Sequence, residues 1–145
     1  MKRSLIAAAC LLLLAGCGSK AAAKPAAPKT ITVVGALHLH APSRWFADES
    51  GKSCDGGIAG GLQDIQPETQ VVIYDATGKI VASGQLLEGS IDSQTGTSVA
   101  TCRMPFRVEG VPSGVGPYSI EIGHRGKVVF NEAEAASVDV TLGSE

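Results

Sequence analysis

From Thr30 onward the apolar residues fall at alternate positions in short runs, and turn-forming residues separate the runs. A period of two puts one side of an extended chain against a core. In Thr30–His40, Ile31, Val33, Leu37 and Leu39 share a face with Gly35, and Thr32, Val34, Ala36, His38 and His40 share the other. Gln70–Asp75 sets Val71 and Ile73 against Val72 and Tyr74, and Lys79–Gly84 returns after the turn Asp75-Ala76-Thr77-Gly78. Thr97–Val108 puts Ala100, Cys102, Met104, Phe106 and Val108 on one face. Pro105 has no N–H for a ladder, so this strand is expected at an edge or with a bulge there. Pro117–Gly123, Lys127–Phe130 and the set Val138, Val140, Leu142 complete the pattern, with one helical turn over Asn131–Ala136 capped by Asn131. Glycine supplies 18 of the 145 residues, well above the ~7% of an average chain. The pattern predicts an all-β fold, a single antiparallel β-sandwich of about seven strands.

The first 29 residues read differently. Met1-Lys2-Arg3 is a cationic start, and Leu5–Ala15 is apolar and uncharged. As a helix that stretch reaches about 16 Å, roughly half of a ~30 Å hydrocarbon core. It suits a secretory signal better than a permanent span. Leu14-Ala15-Gly16-Cys17 resembles the lipobox of bacterial lipoproteins at all four positions. The resemblance implies a signal peptide over 1–16 and a diacylglyceryl thioether on Cys17, which would become the mature N-terminus. Two or three acyl chains, at ~0.8 kcal/mol per buried CH₂, hold a protein stably on a membrane. Residues 17–29 then form a disordered Ala/Pro/Lys tether, since Gly18–Lys29 offers no large apolar side chain. The sandwich domain is residues 30–145.

Charge and cysteines narrow the partners. Twelve Lys and Arg against 14 Asp and Glu give a formal net charge of −2. Removing Lys2 and Arg3 makes the domain more acidic still, so nucleic acid is a poor partner. Of the four cysteines, Cys10 leaves with the signal and Cys17 is the anchor. Cys54 and Cys102 remain, and in an exported domain they are expected to form a disulfide. Two free thiols able to bind metal or react are the alternative.

Two further resemblances concern the domain. Gln70–Gly123 looks like the carboxypeptidase-regulatory and collagen-adhesin B-type sandwich repeats. Three stretches carry that likeness: the hairpin Val71–Val81, then Pro105-Phe106-Arg107-Val108-Glu109-Gly110-Val111-Pro112-Ser113-Gly114, then Tyr118–Ile122. Most of 30–145 is similar to small secreted lipoproteins of high-G+C Gram-positive bacteria. The matching features are Cys54, Asp64-Ile65, the Asp75–Gly78 turn, Cys102-Arg103-Met104-Pro105-Phe106 and Gly123-His124-Arg125-Gly126. Neither resemblance carries an activity.

Several residues are candidate sites. His38 and His40 project from one face of one strand and would bind a transition metal if a third ligand arrived; the alternative is two exposed polar residues. Trp45 and Phe46 either contact a ligand or cap an open end of the sandwich. His124, Arg125 and Lys127 form a basic hairpin tip, an anion site or a solvated turn. Gly51-Lys52-Ser53 lacks the first glycine of a phosphate-binding loop, because position 46 is Phe46. No Gly-x-Ser-x-Gly elbow, no Ser-x-x-Lys pair and no closely spaced carboxylate pair on one strand occurs, so the sequence predicts neither an enzyme nor a cofactor. The expected role is a lipid-anchored extracytoplasmic binding or structural module, held on the membrane at Cys17 and facing an envelope protein or a cell-wall component. The alternative is a metal- or solute-binding accessory lipoprotein using His38 and His40.

Overall fold

A computed structural model describes residues 28–42, 53–57, 61–92 and 99–143. Two long strands form its spine. β1 (Thr30–Pro42) runs antiparallel to a 14-residue strand, Val99–Pro112, from the pair Thr30–Pro112 to the pair Pro42–Val99. In chain order the others are β2 (Ser53–Cys54), β3 (Gln70–Tyr74), β4 (Ile80–Gln85) and β5 (Gly89–Asp92). After β6 (Val99–Pro112) come β7 (Tyr118–Ile122), β8 (Lys127–Phe130) and β9 (Val138–Gly143). They build a five-stranded sheet, β2-β5-β6-β1-β9, and a four-stranded sheet, β4-β3-β7-β8. The fold is an all-β sandwich, as the alternation predicts.

Three features differ from the sequence expectation. Nine strands are present among the described residues rather than about seven. The additional two, β2 and β5, have two and four residues, too few to show an alternating pattern. One pairing is parallel, β9 beside β1, because the chain crosses from the end of β8 to the far side of the other sheet. Pro105 lies in an interior strand, not at an edge, and the β1–β6 bulge falls between Ile31 and Val33 instead. The missing N–H is tolerated because the β5 ladder ends at Arg103. Beyond it the Pro105 carbonyl accepts the Leu87 N–H at 2.8 Å, and Leu86 bridges to Phe106.

The buried faces follow the alternation. Val33, Leu37 and Leu39 on β1 meet Met104, Phe106 and Val108 on β6. Opposite them lie Val71 and Ile73 on β3 and Tyr118, Ile120 and Ile122 on β7. The Tyr118 and Phe130 rings stack with centroids 5.5 Å apart. Ala36 is buried although it falls on the outward face of β1. Cys54 and Cys102 are joined by a disulfide with Cα atoms 5.8 Å apart and a sequence separation of 48.

The Leu86–Phe106 bridge joins the two sheets along one side. On the opposite side β8 and β9 are the last strands of their sheets. After β8, Asn131 opens a short 3-10 turn over Glu132–Glu134, its N–H bonded to Glu134 Oε2 at 2.7 Å.

Candidate functional site

The residues with most chemistry gather on the outward face of the four-stranded sheet. Two rows cross it. Val129, Ser119, Tyr74 and Ile80 stand side by side from β8 to β4, and Lys127, Glu121, Val72 and Ser83 form the next row. The hairpin turns fix this register. At Asp75–Gly78 the Asp75 Oδ1 accepts the N–H groups of Thr77 (2.8 Å) and Lys79 (3.1 Å), and Gly78 takes φ +82°. At the β7–β8 turn Gly123, His124 and Gly126 all have positive φ.

At the centre, Tyr74 donates its hydroxyl to Glu121 Oε2 at 2.6 Å. The Lys127 ammonium sits 3.4 Å from the Tyr74 ring centroid, a cation–π arrangement. His124 Nδ1 lies 3.6 Å from Glu121 Oε1. The Glu121 side chain is only 17% exposed. The Tyr74 hydrogen bond is the main cause that holds its carboxyl below the usual range, with the charges of Lys127 and His124 adding to it. The same bond pushes the Tyr74 phenol up. At neutral pH the pair is therefore an ionised carboxylate and a protonated phenol, an arrangement that accepts hydrogen bonds from a ligand.

Beside this pair is a groove of about 180 Å³. Ile80 and Tyr74 supply most of its apolar surface, since Val72 beside them is buried; Gln70, Ser83, Glu121 and His124 supply its polar groups. Ile80 is 57% exposed. An ionised acceptor, an amide and a hydroxyl around an apolar patch form a small-ligand surface of mixed character.

The basic hairpin tip does not converge on a single anion. Arg125 turns to Asp64, with Nε 3.0 Å from Oδ2 and Nη2 also on Oδ1, and it reaches the Gly61 carbonyl at 2.5 Å. This contact holds the Asp64 carboxyl below its usual range. It also ties the 61–69 loop, with buried Leu62 and Ile65, to the β7–β8 turn. Lys127 is spent on Tyr74 and His124 on Glu121.

His38 and His40 lie on the outward face of the five-stranded sheet. His38 Nε2 is 3.2 Å from Asp139 Oδ1 on β9, and His40 Nδ1 is 3.2 Å from Thr101 Oγ1 on β6. Among the described residues no group of three or more His, Cys, Asp or Glu is placed to hold a metal. Trp45, Phe46 and Cys17 lie outside the described residues. The sequence does not reveal Tyr74 with Glu121, which strand order brings together, or Asp64 with Arg125, which the packing of the 61–69 loop on the β7–β8 turn brings together. The one local signal is that Tyr74 and Glu121 both fall on outward-facing positions of their strands. No protein-family profile, curated protein sequence or solved structure matches the chain.

Proposed function

We propose that this chain is a lipid-anchored binding module of the cell envelope, attached through Cys17, with its ligand face on the outward side of the four-stranded sheet. The observation that carries the reading is Glu121, a largely shielded and ionised carboxylate beside the Tyr74–Ile80 apolar patch. The fitting ligand is a hydroxylated ring of the kind found in envelope glycans. Glu121, Gln70 and Ser83 would engage its hydroxyls, and exposed Ile80 would cover its C–H face. The Leu14-Ala15-Gly16-Cys17 motif supports attachment, and the tether after it would hold the sandwich some tens of ångströms off the membrane.

Binding of the detergent-extracted full chain to isolated cell-wall glycan tests the ligand half. Glu121→Gln keeps an acceptor for Tyr74 and removes the charge. It is expected to weaken binding about 10- to 100-fold, the worth of a charge-assisted hydrogen bond of about 1.5–3 kcal/mol. Equal binding by both forms, or none by either, defeats the ligand reading. Fractionation tests the anchor: Cys17→Ser is expected to leave the envelope pellet, and a variant that still pellets refutes the attachment.

A further inference from the structure

The side of the sandwich opposite the Leu86–Phe106 bridge is open. Among the described residues no strand pairs with the outer edge of β8 or of β9. Between those edges is a cavity of about 250 Å³ whose apolar lining is Ile120, Ile122, Val128, Val140 and Leu142, with Arg125, Lys127 and Thr141 at its polar part. Val128 pairs with Ile120, so its side chain points toward the core side, yet it is 42% exposed. Val129, on the outward face, is 67% exposed. Soluble proteins usually blunt such an edge with a charge, a proline or a bulge. β8 has no proline and no break in register with β7. Its one charge, Lys127, is folded back over the Tyr74 ring.

The charges around β8 are arranged as two opposite ends. Exposed Lys127 opens the strand and exposed Glu132 and Glu134 follow it, whereas His124 and Arg125 are already paired with Glu121 and Asp64. Antiparallel pairing of two identical strands places the basic end of each beside the acidic end of the other. That complementarity selects a second copy of this chain as the occupant. We propose that the protein forms a two-fold dimer by antiparallel pairing of β8 with β8 of a second copy. The two four-stranded sheets become one eight-stranded sheet, and the two open sides face each other. Side chains opposite one another in such a pair must share a face. The two-fold axis therefore passes at Val128 or at Val129. A four-residue edge is a small contact, so association is weak in dilute solution and is favoured where a membrane confines the chains. The pairing surface is separate from the ligand groove, and the lipid enters only by confining the chains.

Cysteine cross-linking of the full chain in isolated envelopes tests this. Opposed residues in an antiparallel pair have Cα atoms about 4.5–5.5 Å apart, within disulfide reach. Val128→Cys or Val129→Cys is expected to give a reducible species of twice the monomer mass. Lys79→Cys, on the β3–β4 turn, and the wild-type chain set the background. Sedimentation of the detergent-solubilised chain gives the second readout. Val129→Lys, an exposed position that tolerates the change, is expected to weaken dimerisation at least tenfold while leaving the thermal midpoint near that of wild type. Cross-linking of both β8 variants at background level overturns the proposal, as does cross-linking only to a different protein. A wild-type chain that sediments as a monomer at all accessible concentrations, with no β8 cross-link in envelopes, overturns it equally.

Discussion

Gly35 sits in β1 directly opposite Phe106, and the Phe106 ring occupies the space a side chain would need. A Cβ built on Gly35 would come 2.6 Å from Phe106 Cζ and would also collide with the Val138 carbonyl oxygen. The absence of a side chain here lets a large aromatic fill the centre of the core and lets β9 approach β1. Gly35→Ala is expected to lower stability by about 1–3 kcal/mol, the usual cost of overpacking. The urea midpoint measures it, and an unchanged midpoint would show that both the Phe106 ring and the β9 backbone at Val138 give way freely. Tyr118 makes a similar point through its polar end. Its ring is fully buried, while its hydroxyl donates to the Pro112 carbonyl at 2.7 Å and lies 3.2 Å from Glu132 Oε2. Burial is the main cause that pushes this phenol up, and it stays protonated as the donor. Glu132 Oε2 also accepts the Gly114 N–H at 2.7 Å, so one carboxylate organises the connection from β6 to β7.

β6 is the element on which most of the others depend. It pairs with β1 along nearly its whole length, with β5 at Thr101–Arg103, and with Leu86 at Phe106. The disulfide ties β2 to this strand from outside its own ladder, because among the described residues β2 pairs only with β5. Reduction therefore releases the β2–β5 edge, whose remaining ladder is two and three residue pairs. Loss of the bridge is expected to cost about 2–5 kcal/mol. Parallel urea titrations with and without reductant check this, and coincident curves would mean the bridge adds nothing to stability. The turns act at the same scale. Arg125 and Asp64 close the 61–69 loop onto the β7–β8 turn, so the hairpin and the loop that carries buried Ile65 are held as one unit.

For the molecule as a whole, acid stability follows from its surface carboxylates. Asp64, Asp75 and Glu121 each have folded pKa values below the ordinary range, chiefly through Arg125, Thr77 and Tyr74 respectively. A depressed folded pKa means the unfolded chain takes up protons first as pH falls. Their contribution is therefore complete at neutral pH and is lost from about pH 4 downward. The wild type is expected to lose more stability between pH 7 and pH 3 than the double variant Asp64→Asn with Glu121→Gln. Equal losses, read from urea midpoints at the two pH values, would remove these pairs as the cause. The same scale shows the asymmetry of the sandwich. One side is bridged between its sheets; on the other, among the described residues, no strand lies beside β8 or β9, and self-association is proposed there.

The local physics was legible in the sequence. Alternation assigned β1, β3, β6, β7 and β9 and their inward residues, because a period of two depends only on neighbours in the chain. The Asp75–Gly78 and Gly123–Gly126 turns were equally plain, since positive φ selects glycine within four residues. Cys54 with Cys102 was legible because only two cysteines remain in the domain. Strand order was not, and it decided the rest. It placed β9 parallel to β1 and allowed Pro105 inside a sheet by ending β5 before it. It recruited the short segments Ser53–Cys54 and Gly89–Asp92 as strands because their neighbours offered unpaired backbone groups. It also brought Tyr74 to Glu121, and the packing of the 61–69 loop on the β7–β8 turn brought Asp64 to Arg125. Those contacts join residues 47 and 61 positions apart, and no short-range rule fixes which strand lies beside which.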